Sequence, residues 1–121
     1  MKIIDSNLLI YSANENHRSL RLFLLEKDTF VSSISKIEVL GYNKLTTEDK
    51  QYFEALFRSI QQIPISDTII DRAILLRQKH SLSVGDAIIA ATALEHNAEI
   101  YTRNIKDFIK IKGIKTFNPI V

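Results

Sequence analysis

The stretch Ile3-Ile4-Asp5-Ser6-Asn7 sets two adjacent β-branched residues against one carboxylate. Consecutive apolar residues without alternation suit a strand buried on both faces, as in a parallel sheet, so Lys2 to Asp5 is predicted to be a strand. Asn7 to Ser12 reads as a short apolar helical turn. A carboxylate at the end of such a strand costs several kcal/mol if it is buried without partners. Asp5 is therefore either a cap for the following helix, a role that suits Asp, or a member of a site.

Beyond this strand, apolar periodicity predicts helices over Arg18 to Lys27, Ser35 to Lys44 (Ile37, Leu40 and Gly41 at turn spacing) and Thr47 to Ile60 (Phe53, Leu56, Phe57 and Ile60 on one side). A helix capped by Ser66 runs to about Lys79 with Ile69, Ile70, Ala73, Ile74 and Arg77 in register, and others cover Ser83 to Asn97 and Asn104 to Ile109. Strands are predicted at Thr29 to Ser32, Gln62 to Ile65, Glu99 to Thr102 and Lys115 to Phe117, with Pro64 confining the second of these to an edge or an irregular position. Strands alternating with helices specify an α/β fold: a central, mostly parallel sheet of four to five strands flanked by helices. With three Gly, two Pro and no linker-like tract, residues 1–121 read as one domain. In open parallel sheets ligand sites lie beyond the carboxyl ends of the strands, where both Asp5 and the segment from Thr102 to Asp107 fall.

Composition narrows the chemistry. The absence of cysteine removes disulfides and thiolate metal sites and fits a reducing cytoplasm. His17, His80 and His96 are scattered, which argues against an imidazole zinc site, so a metal would be held by oxygen. No apolar run approaches the roughly 20 residues needed to span a bilayer, and the start lacks the features of a secretory signal, so no membrane role and a cytoplasmic location are expected. The net charge of +2 conceals an asymmetry: residues 1–100 carry 11 Lys or Arg against 13 Asp or Glu, whereas residues 101–121 carry 5 against 1. Arg103, Lys106, Lys110, Lys112 and Lys115 make this end a candidate phosphate-contacting surface, or a solvated edge kept soluble by charge.

Three further acids stand near helix starts. Glu38 follows Ser35 by three residues, the spacing of a capping box, and on spacing alone the cap reading is the stronger. Asp86 is the lone charge in Val84-Gly85-Asp86-Ala87-Ile88-Ile89-Ala90-Ala91-Thr92-Ala93-Leu94, three residues after Ser83, and Asp107 follows Asn104 by three. The positive end of a helix helps keep such carboxylates ionised. Ala90 and Ala93 leave little bulk beside Asp86, room for a backbone, metal or phosphate or simply for close helix packing. Glu48, Asp49, Glu54, Asp67 and Asp71 lie on polar faces or first turns and read as solvated.

Four motifs in order, Ile4-Asp5-Ser6-Asn7, Ser35-Lys36-Ile37-Glu38, Gly85-Asp86-Ala87-Ile88-Ile89-Ala90-Ala91-Thr92-Ala93 and Thr102-Arg103-Asn104-Ile105-Lys106-Asp107-Phe108, resemble those of the PIN-domain nucleases, and among these the VapC-type toxins of toxin-antitoxin pairs. The resemblance spans essentially the whole chain; Ser6 stands where Thr is commoner, and the region around Leu45 to Ile60 looks trimmed. It implies that Asp5, Glu38, Asp86 and Asp107 form an acidic pocket, with Ser6, Asn7, Thr102, Arg103 and Asn104 as substrate or supporting contacts. It further implies endoribonuclease activity on single-stranded or loop RNA leaving a 5′-phosphate, a homodimer, and an antitoxin protein whose tail enters the acidic groove.

Converging carboxylates raise one another's pKa unless a cation neutralises them, and Mg²⁺ or Mn²⁺ prefers such oxygen ligands. Two other readings remain at this stage. One is a non-catalytic PIN scaffold that binds RNA or protein. The other is a receiver-like phosphoacceptor domain, disfavoured because Asp5 has no acidic neighbour and the third predicted strand is followed only by Asp67.

Overall fold

The computed structural model describes residues 1–120. Five strands, β1 (Lys2–Ile4), β2 (Thr29–Ser32), β3 (Gln61–Ile63), β4 (Glu99–Tyr101) and β5 (Lys115–Phe117), form one sheet in the order β3-β2-β1-β4-β5, with every neighbouring pair parallel. Seven helices accompany them: α1 (Ser6–Tyr11), α2 (Arg18–Leu24), α3 (Ser33–Leu40), α4 (Thr47–Ser59), α5 (Asp67–Lys79), α6 (Val84–His96) and α7 (Ile105–Phe108). A 3₁₀ turn, Glu15–His17, leads into α2. The order is not the 2-1-3-4-5 arrangement of receiver domains, which removes the phosphoacceptor alternative.

Alternation along β1 feeds two cores. Ile3 points into a cluster with Ile69, Ala73, Ile89, Ala90, Ile100 and Phe108, built mainly by α5 and α6. Ile4 points the other way, onto Leu8, Leu20, Leu24, Val31, Phe53 and Phe57 from α1, α2, β2 and α4. Both isoleucines are completely buried, which is why this strand reads as an unbroken apolar pair. Pro64 lies just past β3, an edge strand, as its missing amide requires.

Several predicted elements are shifted. The third helix starts at Ser33, two residues before Ser35, and ends at Leu40. Its cap is Ser32, whose Oγ accepts from the Ile34 amide at 3.2 Å. Ile37 is 66% exposed while Ser35 and Val39 face inward, so the apolar stripe expected through Ile37 is rotated. On α5 the buried stripe is Ile69, Ala73 and Leu76, leaving Ile70 and Ile74 exposed. Strand three begins at Gln61 rather than Gln62 and stops at Ile63, and α2 stops at Leu24 rather than Lys27.

Helix α6 sets the position of everything after it. Ser83 caps its start, and seven of its residues, including Gly85 and every residue from Ile89 to Ala93, are buried. It ends where Asn97 turns left-handed at φ 50°, a conformation Asn tolerates, and the Ala98 amide closes on the Ala93 carbonyl at 2.8 Å. The chain then enters β4 directly. Because β2 and β3 lie on one side of β1, and β4 and β5 on the other, the crevice between the carboxyl ends of β1 and β4 is the topological switch point.

Candidate active site

Asp5 and Thr102 are the residues that immediately follow β1 and β4. The Asp5 amide continues the ladder onto the Tyr101 carbonyl at 3.0 Å, and the Thr102 hydroxyl donates to Asp5 Oδ2 at 2.8 Å. Thr102 Oγ1 also accepts from the Asn104 amide at 2.9 Å. With both functions of the hydroxyl used, its rotamer is set and it aims one oxygen of Asp5. Asp5 occupies the cap position of α1, where its carbonyl accepts from the Leu8 and Leu9 amides, but its side chain makes no capping hydrogen bond, so the cap reading does not account for the carboxylate.

Glu38 is held from a different direction. It is the sixth residue of α3, so the capping box expected from Ser35-x-x-Glu38 does not form. Ser6 Oγ lies 2.7 Å from Glu38 Oε1 and 2.8 Å from Ser35 Oγ. A carboxylate only accepts, so the single Ser6 proton goes to Glu38 and Ser6 accepts from Ser35 in turn. This relay explains why Ser35 and Ser6 are buried although polar. Gly85 completes the seat: a Cβ there would stand 2.5 Å from Glu38 Oε2 and 3.1 Å from Oε1. The missing side chain of Gly85 is the space that the Glu38 carboxylate occupies.

Asp86 sits in the first turn of α6, its amide donating to Ser83 Oγ at 3.1 Å, and is half-buried. Asp107 lies in α7 and is exposed. Asn104 stands at the cap position of α7 but makes no side-chain cap bond, so it does not repeat the Ser83 arrangement.

The charges of the four acids are coupled. Burial, reinforced by Asp86 and Glu38, pushes the Asp5 carboxyl from 3.8 up to about 6, against the opposing pull of Thr102 and the Ser6 amide. Burial also raises Asp86, with Asp107 and Glu38 adding to the rise and Ser83 and Lys110 countering it. Asp86 is thus the centre of the group, sensing all three others. Among the described residues no three His, Asp or Glu side chains enclose an ion as they stand; the acids form an open patch. Its donor type suits a hard divalent cation: all carboxylate oxygen, in charge excess, with Asp5 and Asp86 desolvated.

Ser6 and Thr102 thus position acids. Asn7 is exposed on the first turn of α1, apart from these hydrogen bonds. Arg103 is exposed and its Cζ lies 3.7 Å above the centre of the Tyr11 ring. Lys110 donates to the Ser81 carbonyl at 2.8 Å beside the start of α6. A hollow of about 560 Å³ lined by Asn16, His17, Leu20, Phe23 and Ile120 has no Asp or Glu among its described lining residues. Coupled charge, rather than concavity, marks the site.

The family model of the PIN domain matches residues 2–114. The chain belongs to the PIN domain family. It is 27% identical to Ribonuclease VapC1 of Rickettsia felis, covering 93% of this chain and 92% of that protein. A chain of a toxin-antitoxin complex from Klebsiella pneumoniae is 32% identical, with a TM-score of 0.79 over 99% of this chain and 98% of that one. DNA-bound VapBC from Salmonella typhimurium contains a chain with a TM-score of 0.81 at 20% identity, a likeness of fold alone.

Within this PIN domain, the roles of Ser35 and Gly85 were missed by sequence reasoning. Ser35 looked like a cap because it precedes an acid by three residues, whereas Gly85 carried a usable signal. A glycine in the first turn of an otherwise apolar, alanine-rich helix is a signal that another group approaches closely there.

Proposed function

We propose that this PIN domain is a metal-dependent endoribonuclease, the toxin of a toxin-antitoxin pair. The observation that carries the reading is the coupling of Asp5, Glu38, Asp86 and Asp107 into one acidic patch at the switch point. Resemblance to Ribonuclease VapC1 supports RNA as the substrate. Asp5, Glu38, Asp86 and Asp107 would hold Mg²⁺ or Mn²⁺, which when bound acidifies a water and stabilises charge on phosphate oxygens. Thr102 keeps Asp5 aimed, and the Ser6–Ser35 relay keeps Glu38 turned toward α6. Hydrolysis breaks the bond between phosphorus and the 3′ oxygen, leaving a 5′-phosphate and a 3′-hydroxyl. Arg103, Lys106 and Lys110 lie on the basic segment that flanks the patch and contact phosphates; Asn7 and Asn104 supply polar contacts to the strand.

The antitoxin is a protein whose tail places an apolar side chain and an Arg over this site. An apolar hollow of about 350 Å³ lined by Ile10, Val39, Tyr42, Leu45 and Phe53 reaches Glu38, which supports that mode. Exposed Ile70, Ile74, Leu75 and Val84 on α5 and α6 support a homodimer. Among the described residues no helix is long and apolar enough to cross a membrane, and the site of action is the cytoplasm, where the RNA is.

Cleavage of an RNA panel by wild type, Asp5→Asn and Asp86→Asn, with Mg²⁺ and with EDTA, tests the reading. Loss of at least a hundredfold in each variant and full loss in EDTA are expected. Activity that survives both substitutions, or survives EDTA, rules it out.

A further inference from the structure

Tyr11 carries a planar group against each face. The His17 ring is stacked on it with centroids 3.8 Å apart, and the Arg103 Cζ lies 3.7 Å from its centroid. Two groups that close to one ring centre cannot share a face, so the three form a sandwich in the order His17, Tyr11, Arg103. At 3.7 Å, ordinary van der Waals contact, a guanidinium laid flat on the ring is the favoured arrangement. One of its faces is covered by Tyr11. The other is open, since Arg103 is exposed and makes no ion pair among the described residues.

The position of the sandwich relates it to the acids. Arg103 directly follows Thr102, whose hydroxyl is locked between Asp5 and the Asn104 amide. Tyr11 ends α1, the helix that starts with Ser6 and its bond to Glu38. Two of the segments that build the patch thus also build the sandwich. A long side chain that would otherwise sample many rotamers is held as a flat, charged plate at the edge of the acidic patch.

We propose that the open face of Arg103, backed by Tyr11 and His17, is a stacking platform for an unpaired base of RNA bound at the acidic patch. The proposal rests on the nuclease reading and adds how the site selects its strand. Proteins that recognise single-stranded RNA stack splayed bases on aromatic rings and guanidinium planes. A base inside a duplex has both faces covered by its neighbours and cannot use the plate, so the platform favours single-stranded and loop RNA. The N–H edges of Arg103 remain free for a phosphate while its face takes the base.

Arg103→Lys separates the two roles, because lysine keeps the charge and loses the plane. A short single-stranded oligoribonucleotide carrying 2-aminopurine at each position in turn is mixed with excess protein and Mg²⁺, and fluorescence is followed alongside product formation. One position is expected to be quenched in a phase that precedes cleavage. Arg103→Lys should abolish that quench and weaken binding about tenfold or more, with an unchanged salt dependence because the charge is kept and an unchanged melting temperature. If Arg103→Lys quenches and binds like wild type, Arg103 is a phosphate contact only and the platform is overturned. Cleavage with no quenched position also overturns it, while leaving the nuclease reading intact. A quench released by Arg103→Lys in a protein that cuts nothing supports the platform and removes the nuclease reading. RNA that does not bind overturns both.

Discussion

Thr102 Oγ1 donates to Asp5 Oδ2 at 2.8 Å, joining residues 97 positions apart at the ends of neighbouring parallel strands. Replacing Thr102 by Val keeps the shape and removes the donor. A hydrogen bond to a charged group contributes about 1.5–3 kcal/mol, so RNA cleavage is expected to fall roughly 10- to 100-fold. Since the lost bond favoured ionised Asp5, its pKa should rise further and the acidic limb of the pH–rate profile should move to higher pH. A profile that keeps its position would show that Thr102 does not tune Asp5.

Gly85→Ala places a methyl 2.5 Å from a carboxylate oxygen of Glu38. The colliding atoms are the end of an exposed, flexible side chain, so the fold yields cheaply and the melting temperature should change by no more than a few degrees. Glu38 must leave its seat, and titration calorimetry with Mn²⁺ should show binding at least tenfold weaker. Wild-type Mn²⁺ affinity in a folded Gly85→Ala protein would show that Glu38 is not a ligand.

Asp5 gives the metal-free protein a pH-dependent stability of predictable sign. Its carboxyl titrates near 6 in the folded chain and at 3.8 ordinarily, so between these values the folded state holds more protons. Stability contributed by neutral Asp5 is fully present below about pH 3.8 and is lost as pH rises through 6, by on the order of 3 kcal/mol at most. Asp5→Asn cannot ionise. Its melting temperature should match wild type at about pH 4 and exceed it at about pH 7.5 in EDTA, with Mg²⁺ narrowing the difference. A variant that melts below wild type at both pH values would contradict the burial penalty.

Phe108 is completely buried in the α5/α6 core and anchors α7, which carries Asp107. Phe108→Ala should cost about 3–5 kcal/mol in urea unfolding. A smaller loss would mean that α7 is not packed as described.

Much of the fold was legible because its central strand is a short apolar run buried on both faces. Ile3-Ile4 announces the central strand by the same burial that later places the two residues in opposite cores. Helix faces were less legible. Counting apolar residues put Ile37 inside and overlooked Ser35, since periodicity does not reveal that a buried serine will find Ser6 and Glu38 as partners. Ile70 and Ile74 misled in the same way, because α5 offers two apolar stripes and packing against α6 selects the one through Ile69, Ala73 and Leu76.

The alternation of strands and helices, the family motifs and the set of candidate carboxylates could be read from local pattern and residue type alone. What each carboxylate touches came from the tertiary fold. Asp5 and Glu38 both had a helix-cap reading that spacing could not dismiss; the side-chain cap bonds are absent, and the carboxylates turn to Thr102, Ser6 and the gap at Gly85. The reason is distance along the chain. A cap is a contact between near neighbours, whereas the coupling among Asp5, Glu38, Asp86 and Asp107 exists only after parallel strands bring their carboxyl ends side by side.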